Sequence, residues 1–298
     1  MRVFVTGATG FVGSAVVQAL IARGHQVIGL ARTEAAAQAL LAAGAQVHRG
    51  DIDDLQSLRE GAAQADGVIH TAFNHDFSKF QASCEADRHI IAALGSALAG
   101  SDRPLVITSG IGVLPSGGLL NERSNPASGP GAHPRAATEE AAQATLTQGV
   151  RTTVVRLPPS VHGEGDHGFV PLLIGIARAK GVAAYVGKGR NRWPAVHRLD
   201  AARLYVEVLE RGTAGARYHA VGEEGVAFCD IAGAIGQGLD LPVLSLPADR
   251  AAEHFGWFAH FAAMDVPASS AWTREQLGWE PSGTTLLADM EGAGYFEA

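Results

Sequence analysis

The chain has 298 residues, of which 47% are hydrophobic and 18% are charged, and its formal net charge is −7. This length is enough for one large α/β unit, or for a core domain with a smaller lobe. Acidic and basic residues are mixed along the chain, so no basic face for a nucleic acid is expected. The longest mostly apolar stretch, about 90–99, is far shorter than the ~20 residues of a membrane span. The two cysteines, Cys84 and Cys229, show neither disulfide nor metal spacing, which favours the cytoplasm.

Short β-branched runs alternate with alanine-rich amphipathic segments over the first 157 residues. Glycines at 24 and 44 suit helix ends, where a positive φ costs little. Strands separated by helices of this length imply right-handed crossovers, and therefore an α/β fold with a doubly wound parallel sheet. The predicted strands are Val3–Thr6, Gln26–Ala31, Ala45–His48, Gly67–Ala72, Pro104–Ser109 and Arg151–Leu157, and the predicted helices lie at about 13–23, 34–43, 54–61, 83–99 and 136–147.

The alternation of strand-like and helix-like segments ends after Leu157, at Pro158-Pro159. A helix at about 169–180, a helix from Asp200 and a strand at Arg217–Val221 are expected there. We expect residues 1–157 to form the larger domain, joined by later strands from about 184–221. Residues 158–183 and 222–298 would form a smaller, substrate-binding lobe. The loop 110–134 would lie just past the carboxyl end of a strand, where such sheets bind ligands.

The strongest motif is Thr6-Gly7-Ala8-Thr9-Gly10-Phe11-Val12-Gly13, which follows the first strand and opens the first helix. Gly7 permits the tight turn, Gly10 lets the backbone approach a pyrophosphate, and Gly13 lets the helix pack closely on the sheet. The helix N-terminus offers free N–H groups and a positive potential to that anion. A tight turn without a ligand is the plainer alternative, but the strand–turn–helix context favours a dinucleotide site.

This motif resembles the fingerprint of extended short-chain dehydrogenase/reductases, the NAD(P)-dependent epimerase/dehydratase type. Gly50-Asp51-Ile52 resembles the family's Asp–apolar pair beside the adenine, and Arg156–Gly163 is similar to its segment near the nicotinamide. Val196–Asp200 and Leu277–Pro281 resemble two later family segments. The resemblance implies a Rossmann-type fold, with residues 1–157 as the NAD(P)-binding domain. The cofactor-binding residues it implies are Gly7, Thr9, Gly10, Phe11, Val12, Arg32, Asp51, Ile52, Thr71, Ala72, Thr108 and Pro158.

The end of the second predicted strand favours NADP(H) over NAD(H). An NAD-specific protein of this fold needs a carboxylate about 20 residues past the glycines, for the ribose 2′-hydroxyl. This chain has Ala31 and Arg32 there. Alanine removes the carboxylate that would repel a 2′-phosphate, and the planar fork of Arg32 can pair with that phosphate. The alternatives are that Arg32 is a solvated loop residue and that Glu34 alters the local field.

The catalytic centre departs from the family's pattern. In the resembled family a Ser or Thr polarises the carbonyl, a Tyr passes the proton, and a Lys four residues later lowers the tyrosine pKa. Here the usual serine position falls on Gly110, and no tyrosine occurs before residue 185. The tyrosine and lysine positions fall on His133 and Ala137, or after a one-residue shift on Pro134 and Thr138.

Two candidates for catalysis remain near this gap. His133 could replace the tyrosine because imidazole is a competent acid and base near neutral pH, and Arg135 would then supply the positive charge. The plainer interpretation of His133 is a solvated loop histidine. Ser109 could donate a hydrogen bond to the carbonyl, or be a simple turn serine.

Three further residues are tentative substrate contacts. His162 lies where the family often has a tyrosine or histidine facing the substrate. Trp193 could present a flat aromatic face, or pack inside a loop. His197 is a weaker candidate, because a structural histidine is the more frequent case. The twelve histidines include no helical His-x-x-x-His pair or Cys/His cluster, so no metal is expected.

These observations predict an enzyme: an NADP(H)-dependent oxidoreductase that acts on a small carbonyl or alcohol, with a non-standard catalytic centre. One alternative is a non-catalytic NAD(P)-sensing regulatory protein, which the missing tyrosine–lysine pair favours. The other is an NAD-dependent sugar-nucleotide epimerase or dehydratase. A small-molecule substrate is the expected partner, and a homodimer through the helices at about 83–99 and 136–147 is possible by analogy with relatives.

Overall fold

The computed structural model describes residues 1–129, 131–292 and 294–297. A seven-stranded parallel sheet runs in the order β10-β6-β5-β4-β1-β2-β3. Its order reverses beside β1, so the carboxyl ends of β1 and β4 border a crevice for ligands. Its strands are β1 (Arg2–Thr6), β2 (Gln26–Ala31), β3 (Gln46–Arg49), β4 (Gly67–His70), β5 (Pro104–Gly110), β6 (Arg151–Leu157) and β10 (Arg217–His219).

Helices cover both faces of this sheet and join successive strands. The first five are α1 (Phe11–Ala22), α2 (Glu34–Ala42), α3 (Leu55–Ala63), α4 (Phe80–Leu98) and α5 (Ala136–Thr147). The positive φ angles of Gly24 (87°) and Gly44 (84°) lie directly after α1 and α2, as the sequence predicts. The doubly wound parallel α/β fold is therefore confirmed, with element boundaries within about three residues of the expected ones.

The C-terminal half adds two small sheets and the remaining helices. A three-stranded sheet joins β7 (Ser160–His162), β9 (Arg192–His197) and β11 (Glu223–Ala227), and a two-stranded sheet joins β8 (Ala183–Val186) to β12 (Val243–Leu246). The helices are α6 (Phe169–Lys180), α7 (Arg198–Arg211), α8 (Phe228–Leu239), α9 (Ala251–Phe255), α10 (Ala259–Ala262), α11 (Ala271–Leu277) and α12 (Leu286–Gly292). Within the described ranges, no helix is long and apolar enough to cross a membrane.

One boundary differs from the sequence analysis, which expected the strands from about 184–221 to join the large sheet. Only β10 does so, whereas β8 and β9 pair inside the smaller lobe. The helix that follows β9, α7, does return to the large domain and packs along α1. A short apolar strand pairs with whichever sheet edge the tertiary packing brings near it, and its residue pattern does not show which edge that will be.

Candidate active site

The glycine turn between β1 and α1 is built as its sequence suggests. Gly7 has a φ of 66°, and a Cβ on it would lie 2.7 Å from the backbone nitrogen of Ala72. A Cβ on Gly13 would lie 1.9 Å from the Gly7 carbonyl oxygen, so only glycine lets α1 start this close to β1. Gly10 precedes the helix without a side-chain cap, and the first turn of α1 holds no acidic residue. The turn therefore presents backbone N–H groups, positive potential and open space to an anion.

The other sequence-predicted cofactor residues lie around this turn. Thr71 donates its hydroxyl to the Thr6 carbonyl oxygen at 2.8 Å, which holds the end of β4 beside the glycines. Thr108 lies near the carboxyl end of β5 and donates to the His70 carbonyl oxygen at 2.7 Å. Pro158 is buried directly after β6. These positions lie at or just past the carboxyl ends of strands in the large sheet, at the edge where this class of sheet binds ligands.

A cavity of about 200 Å³ opens on the β3 side of the turn. Ile52 and Asp53 line it together with Phe73 and one face of α4, including Ala86 and Ile90. Its lining is mostly apolar, as a flat base requires on both of its faces. Ile52, one of the two residues expected beside the adenine, therefore lines this cavity, and Asp51 precedes it on the chain.

Arg32 leaves the end of β2 with its side chain 73% exposed. Its Nε lies 3.7 Å from a carboxylate oxygen of Asp51, a loose surface ion pair that costs little to open. The nearby Glu34 carboxylate is bound by Arg49, and its hydrogen bonds with Gln38 and Arg49 lower the pKa of that exposed group. Because Arg49 pairs with Glu34, the Arg32 guanidinium is held only by its loose pair with Asp51.

Ser109 lies in a buried network rather than in the open cleft. Ser109 is 2% exposed, and its hydroxyl donates to Glu139 Oε1 at 3.0 Å. Arg156 binds both oxygens of the same carboxylate at 2.7 Å, and Arg217 adds a third guanidinium contact at 3.0 Å. Burial opposes ionisation of Glu139, yet the bonds and charge of Arg156 hold the pKa of that carboxyl below its ordinary value. The network ties α5 to β5, β6 and β10, so the observed contacts of Ser109 are structural.

His219 completes this network in its neutral form. Its Nδ1 donates to the Ser269 carbonyl oxygen at 2.8 Å, and its Nε2 accepts from Arg156 at 3.2 Å. Burial and then the charge of Arg156 lower the pKa of His219 to about 3. This imidazole is therefore a neutral acceptor that satisfies the buried guanidinium.

Glu139→Gln is expected to lower the free energy of unfolding by about 3–5 kcal/mol, because it leaves the fully buried Arg156 without its counter-charge. Urea unfolding at pH 7 measures this loss. The difference from wild type should shrink as the pH falls through the lowered pKa of Glu139, since protonation removes the same charge. The neighbouring Glu140, half-exposed and paired with Arg88, is the matched control, and Glu140→Gln should cost less than ~1 kcal/mol. Equal losses in the two variants would show that the Glu139 network is not the stabilising element.

Gly110, at the family's usual serine position, has room for a side chain. A Cβ there would find its nearest neighbour, the Leu157 carbonyl oxygen, at 3.8 Å. Its backbone is extended, at φ −132° and ψ 148°, which any residue adopts. Backbone geometry therefore does not require glycine here, and the structure keeps an unfilled space at the end of β5.

His133 lies half-buried at the start of α5, with its ring edge on Phe80 at a centroid distance of 5.6 Å. The backbone N–H of Arg135 donates to its Nδ1 at 3.3 Å, so the neutral ring carries its proton on Nε2. Burial lowers the pKa of this imidazole, and the charges of His260 and Arg135 lower it further. At neutral pH the ring is therefore an uncharged donor through Nε2.

Arg135 is the residue whose importance the sequence understated. Its guanidinium carbon lies 3.4 Å from the centroid of the Phe73 ring, and one of its nitrogens is 3.4 Å from the Thr108 carbonyl oxygen. Nη1 is buried without a hydrogen-bond partner among the described residues. Burial lowers the pKa of the guanidinium, while the charge of Asp87 opposes that shift. A partly satisfied cation at the end of β5 is costly to maintain, which points to a functional position.

Thr138, one of the two positions expected for the missing lysine, is fully buried. Its hydroxyl donates to Asp87, which also accepts from His70 Nε2 at 2.9 Å, and His70 Nδ1 bonds the Thr6 hydroxyl at 2.6 Å. Burial would raise the pKa of Asp87, but its bond with His70 and the charges of His70 and Arg135 hold that pKa below its ordinary value. This relay of hydrogen bonds links α5, α4, β4 and β1 beneath the cleft. It occupies the space that a lysine side chain at position 138 would need.

The three tentative substrate residues are less accessible than the sequence suggested. Trp193 is fully buried and packs on Phe228 at 5.0 Å, inside the core of the smaller lobe. His162 is 1% exposed and binds Asp289 at 2.8 Å through Nδ1. His197 caps α7, because its Nδ1 accepts from the Leu199 N–H at 3.3 Å. The flat-surface interpretation of Trp193 is therefore wrong, since the tryptophan packs inward from β9.

Two unpartnered atoms still mark this region: Trp193 Nε1 and His162 Nε2 are both buried without a partner among the described residues. Sequence reasoning missed Arg135 as a central residue, and it missed Asp87 and Glu139 altogether. The available signal for Arg135 was a cation directly before a helix, where the dipole disfavours positive charge. Asp87 and Glu139 sit on helix faces that gave no local sign of burial.

Comparison with known proteins finds a family model, relatives and solved structures to which this chain is similar. A model of the NAD dependent epimerase/dehydratase family matches residues 3–221. An uncharacterized protein of Schizosaccharomyces pombe is 50% identical over 296 residues, which are 99% of this chain and 100% of that protein. A 4-hydroxy-2-methyl-3-oxo-4-farnesyl-3,4-dihydroquinoline-1-oxide ketoreductase of Stigmatella aurantiaca is 32% identical, over 86% of this chain and 80% of that enzyme. A nucleoside-diphosphate-sugar epimerase of Pseudomonas aeruginosa shares the fold, with a TM-score of 0.79, 21% identity and coverage of 100% of this chain and 99% of that one.

Proposed function

The chain belongs to the NAD dependent epimerase/dehydratase family, and we propose that within it this protein is an NADP(H)-dependent oxidoreductase that interconverts a carbonyl compound and its alcohol. The observation that carries the proposal is the glycine turn after β1 together with Arg32 at the end of β2, an exposed guanidinium held only by a loose ion pair with Asp51. The Stigmatella aurantiaca relative is named for the reduction of an oxo compound, which supports the same direction of chemistry.

The residues around the turn fit a dinucleotide. A Cβ on Gly7 or Gly13 would collide with the turn itself or with Thr71 and Ala72, so these glycines keep the turn tight. Thr9, Gly10, Phe11 and Val12, at the N-terminus of α1, would contact the pyrophosphate. Asp51 and Ile52 would hold the adenine, while Thr71, Ala72, Thr108 and Pro158 would border the nicotinamide half. A bound reduced nicotinamide supplies a hydride to the carbonyl carbon.

Arg32 supports a preference for the 2′-phosphate. β2 ends on a buried alanine rather than on a carboxylate, so no negative charge at that position repels a phosphate. Of the two acids near Arg32, Glu34 is paired with Arg49, and Asp51 is held only loosely by Arg32 itself. A guanidinium that is exposed and loosely paired can close on a phosphate with little reorganisation.

His133 and Arg135 support the proton chemistry. As hydride reaches the carbonyl carbon, negative charge develops on the oxygen, and the Nε2–H of His133 can hydrogen-bond to it and pass its proton. The imidazole then recovers a proton from water. Arg135 adds positive potential beside the developing charge, the part that a lysine plays in related enzymes. Ser109 has no role in this scheme because Glu139 already accepts its hydroxyl.

A cofactor titration tests the proposal. NADPH and NADH are added separately to wild type and to Arg32→Ala, and nicotinamide fluorescence reports binding. We expect wild type to bind NADPH more tightly than NADH. The variant should lose about 10–100-fold in NADPH affinity, the cost of one charge-assisted phosphate contact, and keep its NADH affinity.

Arg59→Ala, which removes an exposed arginine from α3, is the matched control and should change neither affinity. If NADPH and NADH bind equally to wild type, the NADP(H) preference is wrong. If neither binds, the oxidoreductase proposal fails. Tight binding without turnover of any carbonyl or alcohol would favour the sensing alternative, and turnover of a sugar nucleotide would favour the epimerase.

A further inference from the structure

A continuous run of aromatic side chains leads from His133 to the protein surface. The ring of Phe80, which touches His133, lies 5.5 Å from Phe77 at an interplanar angle of 19°. Phe77 in turn stacks on Trp257, at 4.8 Å and 27°. We call this set the aromatic wall: Phe73, Phe77, Phe80, Phe169, Trp257 and Phe261.

The wall joins the large domain to the smaller lobe at the cleft. Phe73, Phe77 and Phe80 come from the segment that follows β4, directly after the expected cofactor residues Thr71 and Ala72. Phe169, Trp257 and Phe261 come from the smaller lobe, and Phe261 lies 5.8 Å from Phe77. Met264, next along the chain, lies against the end of β5, where a Cβ on Gly112 would be 3.6 Å from its terminal carbon. The wall therefore borders the space above β5, where the reacting group would lie.

The outer end of the aromatic wall is exposed to solvent although its side chains are apolar. Trp257 is 55% exposed, and Phe77, on which it stacks, is half-buried. Exposed large aromatic surface that is continuous with a buried polar site is characteristic of ligand contact. In both near-parallel pairs Phe77 is one of the two rings, so the faces inside these stacks are covered by Phe80 and Trp257, and the face open to a ligand belongs to the outer ring, the exposed Trp257. An open aromatic face favours a flat ring over an alkyl chain.

From these contacts we propose that the substrate is a carbonyl compound whose carbonyl is attached to a flat aromatic ring system, with the ring held by the aromatic wall and the oxygen directed to His133. This inference rests on the proposed oxidoreductase function and names its substrate class. A sugar nucleotide fits the same surface poorly, because its hydroxyl groups would meet aromatic carbon and lose their hydrogen bonds to water.

The substrate class is tested by measuring the NADPH-dependent reduction of three ketones: 2-acetylnaphthalene, cyclohexyl methyl ketone and 2-undecanone. We expect kcat/KM for 2-acetylnaphthalene to exceed that for cyclohexyl methyl ketone by about two- to tenfold, since one open aromatic face contributes. In Trp257→Leu and in Phe77→Leu this ratio should fall towards one, mainly through KM. Trp257→Phe should keep most of it. Leu244→Ala, which removes an exposed apolar side chain from β12 outside the wall, should leave the ratio unchanged.

A binding measurement separates this inference from the proposed function. Tryptophan fluorescence should be quenched by 2-acetylnaphthalene, and the quenching should be lost in Trp257→Leu, whether or not the ketone is reduced. If NADPH fails to bind but this quenching occurs, the proposed function fails and the wall still binds flat rings. If ketones are reduced but 2-undecanone or cyclohexyl methyl ketone is preferred, or the Trp257 and Phe77 variants keep the wild-type ratio, the substrate inference is overturned and the oxidoreductase stands.

Discussion

Replacing Arg135 with methionine should lower kcat for carbonyl reduction by about 10²–10³-fold, the usual cost of removing one charged group from a developing oxyanion. Methionine keeps the length and apolar stem of the side chain, so it can still cover the Phe73 ring. The free energy of unfolding should stay at the wild-type value or rise. Arg135 is a buried cation with an unpartnered Nη1, and it sits at the positive end of α5, so its charge costs stability.

The pH profile distinguishes this role from a purely structural one. Because the charge of Arg135 helps to lower the pKa of His133, its removal should move the midpoint of the kcat profile upward. Arg135→Lys should recover part of kcat and part of the shift. NADPH affinity should change by less than about tenfold if Arg135 acts on the reacting oxygen. A variant that unfolds at lower urea with an unmoved pH midpoint would mean that Arg135 only supports the cleft.

The large domain was predictable because its signals are local. Each strand of the sheet from Arg2–Thr6 to Arg151–Leu157 is a short β-branched run, and each intervening helix has an apolar stripe and a clear end. The glycine turn was equally predictable, since its three glycines keep their characteristic spacing within seven residues of sequence, although the atoms that exclude a side chain from Gly7 belong to Thr71 and Ala72. The strand near Arg217 was also expected to join the large sheet, but its pairing with β6 is seen only in the structure.

The site was less predictable because its contacts are long-range. Ser109 looked available from its neighbours, and only Glu139, thirty residues later, shows that its hydroxyl is already used. Trp193 looked like a surface aromatic because a polar Asn-Arg pair precedes it, yet Phe228 and Phe258 draw it into the core. Trp257, which no motif marked, is the exposed aromatic instead. A hydroxyl or a ring has no sequence pattern that reports which side of a loop it faces.

The absent tyrosine–lysine pair has a structural counterpart that no motif describes. The space beneath the cleft is filled by the relay from Thr6 through His70 and Asp87 to Thr138, which would leave a lysine ammonium with a buried carboxylate and little room. In the proposed scheme the positive charge comes instead from Arg135, three residues before Thr138 on the chain, a position that alignment with the family's lysine does not mark.

His133→Gln should lower kcat for reduction by about 10²-fold or more, and it should remove a limb from the pH profile. The imidazolium is a stronger acid than the neutral ring, and burial lowers the pKa of His133 below its ordinary 6.5. Protonation therefore occurs only below that pH. In wild type, kcat should rise as the pH falls through a midpoint below 6.5 and then level off, whereas the glutamine variant should show no such rise.

His260→Gln provides the matched control for this titration. His260 is exposed, and its charge is the second cause, after burial, of the lowered pKa of His133. Removing it should keep the limb and move its midpoint upward, towards 6.5, with kcat at neutral pH slightly raised because more of the His133 imidazole is then protonated. Steady-state reduction from pH 5 to 8, with the three proteins at saturating NADPH, measures both effects. A limb that survives in His133→Gln would assign the proton transfer to another group, and water held at the unfilled space beside Gly110 would be the next candidate to test.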